Sequence, residues 1–330
     1  MERKIENARV VVTGGAGFIG SNLAEALWNM GNDVVVFDNF ATGKRENLEG
    51  LRGKERFTLL EGDIRDRAAC GKAVAGADYV FHEAALGSVP GSIADPALSA
   101  DVNVRGFAEV LDASRRAGVK RVVYASSSAV YGDDERLPKR EEEIGAALSP
   151  YAVSKRADEL YAANFGRLYG LETVGLRYFN VFGPRQDPHG AYAAVIPLFA
   201  AALLRHEPPT INGDGSHTRD YTHVGNVVLA NVLAATAGAE ASGEVFNVGN
   251  GVKTDLNELF AALREGLAAH DPAVRGVEAR HGPERAGDIP HSLADISKAR
   301  RMLGYEPAWS VEDGLAAAAK WYFGTLGRRA

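Results

Sequence analysis

The sequence predicts an α/β fold, a doubly wound parallel sheet carrying a smaller C-terminal substrate-binding lobe. Three observations predict it. Strand-length hydrophobic runs alternate with helical stretches from Ala8 to Tyr178, a glycine-rich turn joins the first run to the first helix, and the pattern loosens after Tyr178 into turn-rich pieces. Strands separated by helices need crossover connections, which make neighbours parallel and put helices on both faces. Right-handed crossovers then gather the ligand-carrying loops at the carboxyl ends of the strands. A chain of 330 residues has room for a large domain and a second lobe.

Residues 8–13 are a continuous β-branched run, as in a strand buried on both faces. The glycine turn follows, then a helical pattern over 18–30 closed by Gly31, and a second buried strand over 33–37 that ends in Asp38. Further strands are expected at 57–61, 79–82, 121–125 and 173–178, with helices at 102–117 and 150–169. Beyond them, turn-rich 183–190, Pro/Gly/Asp-rich 207–215 and polar 271–290 separate helices at 222–238 and 256–270 and a strand at 244–248. The expected division is a sheet domain of residues 1–182 with 222–249, and a lobe of 183–221 with 250–330.

Hydrophobic content of 46% and charged content of 24% are those of an ordinary soluble globular protein. A net charge of −6 argues against a nucleic-acid partner, which needs a concentrated basic face. The longest apolar stretch, 192–204, contains Pro197 and is shorter than the about 20 residues that span a bilayer, so no membrane partner is expected. Residues 1–9 are charged rather than apolar, and the one cysteine, Cys70, fits a reducing cytoplasm as a small buried hydrophobe. No His or Cys cluster suggests a metal.

The turn Thr13-Gly14-Gly15-Ala16-Gly17-Phe18-Ile19-Gly20 lies between a strand and a helix, the context of a dinucleotide fingerprint and of a Rossmann-type sheet. Gly14 permits the tight turn, Gly17 close approach to a pyrophosphate, and Gly20 helix–strand packing. The helix N-terminus adds amides and partial positive charge. Asp38 follows Gly14 at the end of the second strand, where a carboxylate binds both ribose hydroxyls and repels a 2′-phosphate, so NAD is favoured over NADP. Lys44 and Arg45 nearby leave some NADP tolerance open. Asp63 in Gly62-Asp63-Ile64 could meet the adenine or simply be a solvated loop acid.

Tyr151-Ala152-Val153-Ser154-Lys155 follows Ser149-Pro150, an N-cap and a first helical position. Phenol and ammonium four residues apart share one side of a helix. A free phenol, with a pKa of about 10, is a poor base at neutral pH. A cation and a helix N-terminus beside it favour the phenolate. The strand before this element runs into Ser126-Ser127-Ser128, where a hydroxyl could hydrogen-bond a reacting oxygen while the tyrosine moves its proton.

With these residues in place the chain resembles the extended short-chain dehydrogenase/reductase family, specifically its nucleotide-sugar 4-epimerases. TGGAGFIG, DNFATG, GDI, FHEAA, SSSAVYG, SPYAVSK, LRYFNVFGP, GDGSHTRDYTHV and RAGDIPHSLADISKA occur in family order over nearly the whole chain. The resemblance implies Tyr151 as base, Ser127 as the hydroxyl four positions before the Tyr of VYG, and Lys155 as the group holding the nicotinamide ribose. Phe18, Ile19, Asn39, Gly43, Ile64, Ala84, Ala85, Asn103, Tyr178 and Val181 would complete the NAD site. It further implies transient oxidation: hydride passes from C4 of the sugar to NAD, the keto sugar swings, and hydride returns to its other face. NAD would stay bound through each turnover.

On the substrate side the resemblance places Asn180, Arg219 and Arg285 on the nucleotide diphosphate, Asp288 on a ribose hydroxyl, and Gly87, Ser88, Ser128, Ala194, Val195 and Asn212 around a UDP-hexose. Relatives that dehydrate carry an Asp-Glu pair after the catalytic hydroxyl, and decarboxylating relatives usually a Glu; here Ser128-Ala129 stand there. Segments 87–90 and 190–197 look like the subgroup acting on N-acetylated sugars. Ser292, seven residues after Arg285, replaces a bulky Tyr of strict UDP-galactose epimerases and leaves room for a 2-acetamido group. UDP-GlcNAc/UDP-GalNAc interconversion is therefore expected, with UDP-glucuronate and then UDP-glucose as alternatives; Gly91, where that subgroup often has Arg, is the departure. A non-catalytic NAD sensor on the same fold would typically lack the Tyr or the Lys. Helices 102–117 and 150–169 are expected to pair across a homodimer in a four-helix bundle.

Overall fold

The computed structural model describes residues 4–188, 194–284 and 290–327. Seven strands, β1 (Arg9–Thr13), β2 (Asp33–Asp38), β3 (Phe57–Glu61), β4 (Tyr79–His82), β5 (Arg121–Ser127), β6 (Glu172–Tyr178) and β7 (Val245–Val248), make one sheet in the order β7-β6-β5-β4-β1-β2-β3. Every neighbouring pair is parallel. Winding reverses between β1 and β4, and a crevice opens there at the carboxyl ends. Val10, Val12, Val34 and Val36 pack into the core on one face while Val11, Val35 and Phe37 pack into that on the other. Burial on both sides explains why these strands read as unbroken apolar runs.

The helices are α1 (Phe18–Asn29), α2 (Arg67–Ala73), α3 (Val89–Ala94), α4 (Pro96–Ala100), α5 (Gly106–Ala117), α6 (Pro150–Tyr169), α7 (Val195–Leu204), α8 (Val224–Ala235), α9 (Leu256–Ala268), α10 (Ser297–Leu303) and α11 (Val311–Leu326). The helix expected at 102–117 instead arrives from α4 through a wide turn at Asp101–Arg105 before continuing as α5. Such π turns recur at functional sites because they re-aim a side chain; this one aims Asn103. The helix expected from 222 starts only at Val224, because Thr222–His223 pair in parallel with Val181–Phe182.

Helices α10 and α11 are absent from the sequence reading. The signals for α11 were present: Ser310 caps it by accepting from the Asp313 amide (3.0 Å), with Glu312 and Asp313 in its first turn. Its stripe Leu315, Ala318, Ala319 and Tyr322 meets α7 and α9 in a core that includes Phe199, Leu203, Leu259 and Leu263. Short strand pairs, Thr210–Asn212 with Arg280–Gly282 and Thr218–Arg219 with Thr254–Asp255, brace this lobe. Ala294, Ile296, Ala299, Leu303 and Tyr305 instead pack into the core on the sheet, so that stretch of the expected lobe sides with the sheet.

Candidate active site

The carboxyl ends of the strands and the inner edge of the lobe enclose a cleft of about 1500 Å³. Its floor is the turn between β1 and α1. Gly14 has φ +67°, and a Cβ there would lie 2.6 Å from the Ala84 nitrogen; at Gly20 it would lie 2.2 Å from the Gly14 oxygen. Neither position takes a side chain without moving backbone. Gly17, Phe18, Ile19 and Gly20 line the cleft. No side chain caps α1 and no acid stands in its first turn. The positive end of the helix is left for an anion.

Asp38 lines the same wall, its Oδ2 accepting from the Ala16 amide (2.9 Å) and its Oδ1 from the Phe40 amide (2.8 Å). A carboxylate has about four lone-pair sites, so capacity for a ribose diol remains. Lys44 is paired with Asp187 (2.9 Å), and Arg45 with Glu61 (2.5 Å) while lying 4.0 Å over the Phe40 ring. Both cations considered for a 2′-phosphate have other partners, and the wall fits NAD. Gly43 closes over Asp38, where a Cβ would come 3.0 Å from Oδ1.

Two residues expected at the cofactor are not among those that line the cleft. Asp63 is paired with Arg65 (2.7 Å), whose hydrogen bond holds its carboxyl well below the usual range, and also accepts from Asn39 (3.0 Å). Asn39 and Ile64 line the cleft; Asp63 does not. Asn103 is buried and clamps Leu86, accepting from its amide (2.8 Å) and donating to its carbonyl (3.2 Å), while donating to Ser154 Oγ (3.0 Å). It thereby positions the Ala84-Ala85-Leu86 wall.

Ser127 ends β5 and lines the cleft with Ser128; its Oγ accepts from the Ala129 amide (3.1 Å). Helix α6 starts where expected, Ser149 Oγ accepting from the Ala152 amide (3.1 Å), and both Tyr151 and Lys155 line the cleft. The Tyr151 amide donates to Ser92 Oγ (3.1 Å), which ties the first turn of α6 to α3. Lys155 Nζ donates to the Ala125 carbonyl (2.9 Å) at the end of β5 and lies 3.5 Å from Asp158 Oδ2, with both side chains buried. Burial pushes the Asp158 carboxyl up to about 7, against the pull of Lys155. Strand end and helix are thus locked together by an ammonium that also lines the cleft.

The profile of the NAD dependent epimerase/dehydratase family matches residues 10–249. The chain belongs to this family. UDP-glucose 4-epimerase of Mycolicibacterium smegmatis is 39% identical to it over 316 residues, 95% of this chain and 98% of that protein. The solved UDP-N-acetylglucosamine 4-epimerase of Methanobrevibacter ruminantium M1, in complex with UDP-N-acetylmuramic acid, is similar at TM-score 0.90 and 40% identity, covering 97% of this chain and 99% of that one. UDP-glucuronic acid 4-epimerase of Bacillus cereus, in complex with UDP-glucuronic acid and NAD, gives 0.85 and 30%, covering 96% and 99%. The protein is an NAD-dependent enzyme of the epimerase/dehydratase family.

On the lobe side of this enzyme's cleft stand Gly87, Asn180, Val181, Ala194, Val195, Arg219 and Ser292. Asn180, at φ +32°, donates to the Asp220 carbonyl (3.0 Å). Arg219 donates to the carbonyls of Thr218 (3.0 Å) and Pro290 (3.2 Å). Asn180, Val181, Ala194, Val195 and Arg219 also border a side cavity of about 270 Å³, and Asn212 belongs to that cavity alone. Ser88 is the N-cap of α3, accepting from Gly91 (3.0 Å), and stays out of the wall. Arg285, Asp288 and residues 190–193 of the expected sugar segment lie outside the described residues. Among the lining residues not assigned from the sequence are His217 in the side cavity, and Glu83 beside Tyr178 and Lys155. Glu83 sits inside FHEAA, and alternation at a strand end was its signal, His82 turning one way and Glu83 the other.

Among the described residues no cluster of His, Cys, Asp or Glu could hold a metal, and no helix is long and apolar enough to cross a membrane. Cys70 is buried with its thiol donating to the Ile64 carbonyl (3.0 Å), and burial pushes that thiol up to about 12, a structural and unreactive state.

Proposed function

We propose that the enzyme is a UDP-N-acetylglucosamine/UDP-N-acetylgalactosamine 4-epimerase, an NAD-dependent nucleotide-sugar 4-epimerase of the cytoplasm. One observation carries the reaction type. Tyr151, Lys155 and Ser127 line one cleft with the dinucleotide turn, and Ser128-Ala129 follow without a second acid–base pair. NAD, when bound, would supply a reversible hydride acceptor for C4 of the sugar. Tyr151 takes the C4 hydroxyl proton and later returns it, and the Ser127 hydroxyl hydrogen-bonds the same oxygen. Lys155, held by the Ala125 carbonyl, sets a fixed positive charge one turn from the phenol. With Tyr151 as the acid–base group at C4, proton and hydride leave and return there, and return of the hydride to the opposite face is epimerisation.

Ser292 supports the N-acetylated sugar: a small side chain in the cleft wall leaves space for a 2-acetamido group. The similarity to the M. ruminantium enzyme agrees. Arg219, Asn180 and, by motif position, Arg285 and Asp288 serve the nucleotide, so the diphosphate is held firmly while the hexose is free to turn. Residues 183–221 with 250–330 form the substrate lobe, less the 294–305 stretch that packs on the sheet. UDP-glucose is the second reading, favoured by the M. smegmatis relative. The test is NMR of the purified protein with UDP-GlcNAc, UDP-Glc and UDP-GlcA in turn, without added NAD. C4 epimers that vanish in Tyr151→Phe support the mechanism and relative rates rank the sugars; a dehydrated or decarboxylated product overturns it.

The enzyme also works as a homodimer in this reading. Helix α6 leaves Val153, Leu160, Tyr161, Leu168 and Tyr169 exposed, with Leu160 at 59% and Leu168 at 64%. Their spacing of seven to eight residues draws one apolar stripe, of the kind a helix packs against a partner. Helix 102–117 is expected to supply the other pair of helices in the four-helix bundle. A monomeric mass for the wild type in sedimentation equilibrium would overturn the dimer.

A further inference from the structure

Glu83 is a carboxyl that the chemistry above does not use. It follows β4, whose last residue His82 faces the other way, its Nδ1 2.8 Å from Thr13 Oγ1. Glu83 lines the cleft beside Ala84, Lys155 and Tyr178. Its Oε1 accepts a hydrogen bond from the Tyr178 hydroxyl (2.8 Å), and that hydroxyl accepts from Asn231 Nδ2 (2.9 Å) on α8. The amide of Asn231 is oriented by a second bond, Nδ2 to the Val227 carbonyl (2.9 Å). Asn231 can therefore only donate to Tyr178, and the single phenolic proton must point at Glu83.

Tyr178 and Asn231 are buried, so this donor chain is fixed by packing and aimed at one acceptor. Burial pushes the Glu83 carboxyl up to about 7, while the Tyr178 hydrogen bond and the Lys155 charge favour its ionised form. Lys155 is already engaged with Ala125 and Asp158. A further positive charge entering the cleft beside Glu83 would find a carboxylate prepared for it.

We propose that Glu83 sets the redox poise of the bound dinucleotide, its carboxylate favouring the cationic oxidised nicotinamide over the neutral reduced one. The inference rests on the NAD-dependent 4-epimerase reading, in which Lys155 holds the nicotinamide ribose and Glu83 lines the cleft beside it. The reaction gains directly. Two electrons and a proton leave C4 as hydride, the hydroxyl proton goes to Tyr151, and the cycle closes only if the hydride is returned. A carboxylate that makes the reduced state less favourable drives that return and needs no further reductant or oxidant.

The test is equilibrium titration of the full chain with NAD and with NADH at pH 8, for wild type, Glu83→Gln and Tyr178→Phe. Glu83→Gln keeps shape and acceptor but removes the charge, and the ratio of the NAD to the NADH dissociation constants is expected to rise about tenfold, as for a charge lost a few ångströms away. Tyr178→Phe, which leaves the carboxyl without its donor, is expected to move the ratio the same way by less, and decides the matter if Glu83→Gln does not fold. Glu61→Gln, an exposed acid at the end of β3, is expected to leave it unchanged. An unaltered ratio in Glu83→Gln, or an equal change in Glu61→Gln, overturns the proposal and leaves the epimerase reading intact. Failure of the wild type to bind either nucleotide after its resident dinucleotide has been removed overturns both.

Discussion

The half that carries the dinucleotide turn and the C-terminal lobe are held together by different materials. Around the dinucleotide turn the protein uses backbone: consecutive parallel strands, a tight turn at Gly14 and the amide end of α1. In the lobe and at its junction with the sheet it uses single side chains that stitch short pieces together. The Asp220 carboxylate takes the amides of Asn250 (2.7 Å), Gly251 (2.9 Å) and Ala294 (3.2 Å). Asn226 accepts from the amides of Ala308 (2.8 Å) and Trp309 (3.0 Å) and donates to the Trp309 carbonyl (2.9 Å). A regular sheet spreads its load over many bonds, whereas a stitched lobe concentrates it. The two halves should therefore respond differently to single substitutions.

The largest effect belongs to the seam between them, where α6 meets the cleft. Tyr151→Phe is expected to lower kcat by roughly 10²- to 10⁴-fold, the usual weight of one acid–base group, while NAD stays bound. Product NMR and the dinucleotide content of the purified variant check both halves of this expectation. Full activity in the variant would place the base elsewhere.

Next comes a point contact in the otherwise regular half. Arg177 and Glu159 are buried and paired at 2.8 and 2.9 Å, and Ser126 Oγ donates to the same carboxylate (2.7 Å). The guanidinium also lies 4.9 Å from the Tyr131 ring centre. Arg177→Met leaves a buried carboxylate with only Ser126 and the half-exposed Arg156, and should cost about 3–5 kcal/mol in urea unfolding. If the loss is small, the sheet shares that load, and the contrast between the halves is sharper than drawn.

Legibility in the sequence follows the same contrast. Strands β3 and β4 and helix α6 lie where periodicity and capping put them, because a short apolar run and an N-cap are local signals. The cleft residues with glycine or strand-end signatures, Gly14, Gly20, Asp38, Ser127 and Tyr151, were legible for the same reason. Asn103 was assigned to the cofactor from the family resemblance; a π turn directs its side chain to Leu86, and nothing in the local pattern announces that turn. Arg177 reads as an interruption of an apolar strand, and its buried partner lies on α6 at a separation no periodicity reports. Asp220 likewise sits in a motif whose three amide donors come from two distant segments.

Within the lobe, Ser292→Tyr sharpens the comparison at the sugar. Its amide is fixed by the Thr218 carbonyl (3.0 Å), so a ring at this position has to enter the cleft. Conversion of UDP-GlcNAc should fall relative to UDP-glucose by roughly 10- to 200-fold, the range one misfitting group commands. Paired kcat/KM measurements check it; an unchanged ratio would remove Ser292 from the determinants of sugar choice.

The smallest effect tests whether one carboxyl stitches the lobe in its charged or its neutral form. Burial pushes Asp220 up to about 6, against the three amides that favour the carboxylate. An unfolded Asp titrates near about 3.9. The folded state then binds the proton more tightly, so this stabilisation is complete below about pH 4 and is lost as pH rises through about 6. Asp220→Asn cannot titrate and turns its NH₂ toward at least one backbone amide, which should cost about 1–3 kcal/mol. Urea unfolding of both proteins at intervals from pH 4 to 7 is expected to show the wild-type advantage shrinking with pH. An advantage that grows instead means that the three amides outweigh burial, and that the lobe is held by a carboxylate, not by a carboxylic acid.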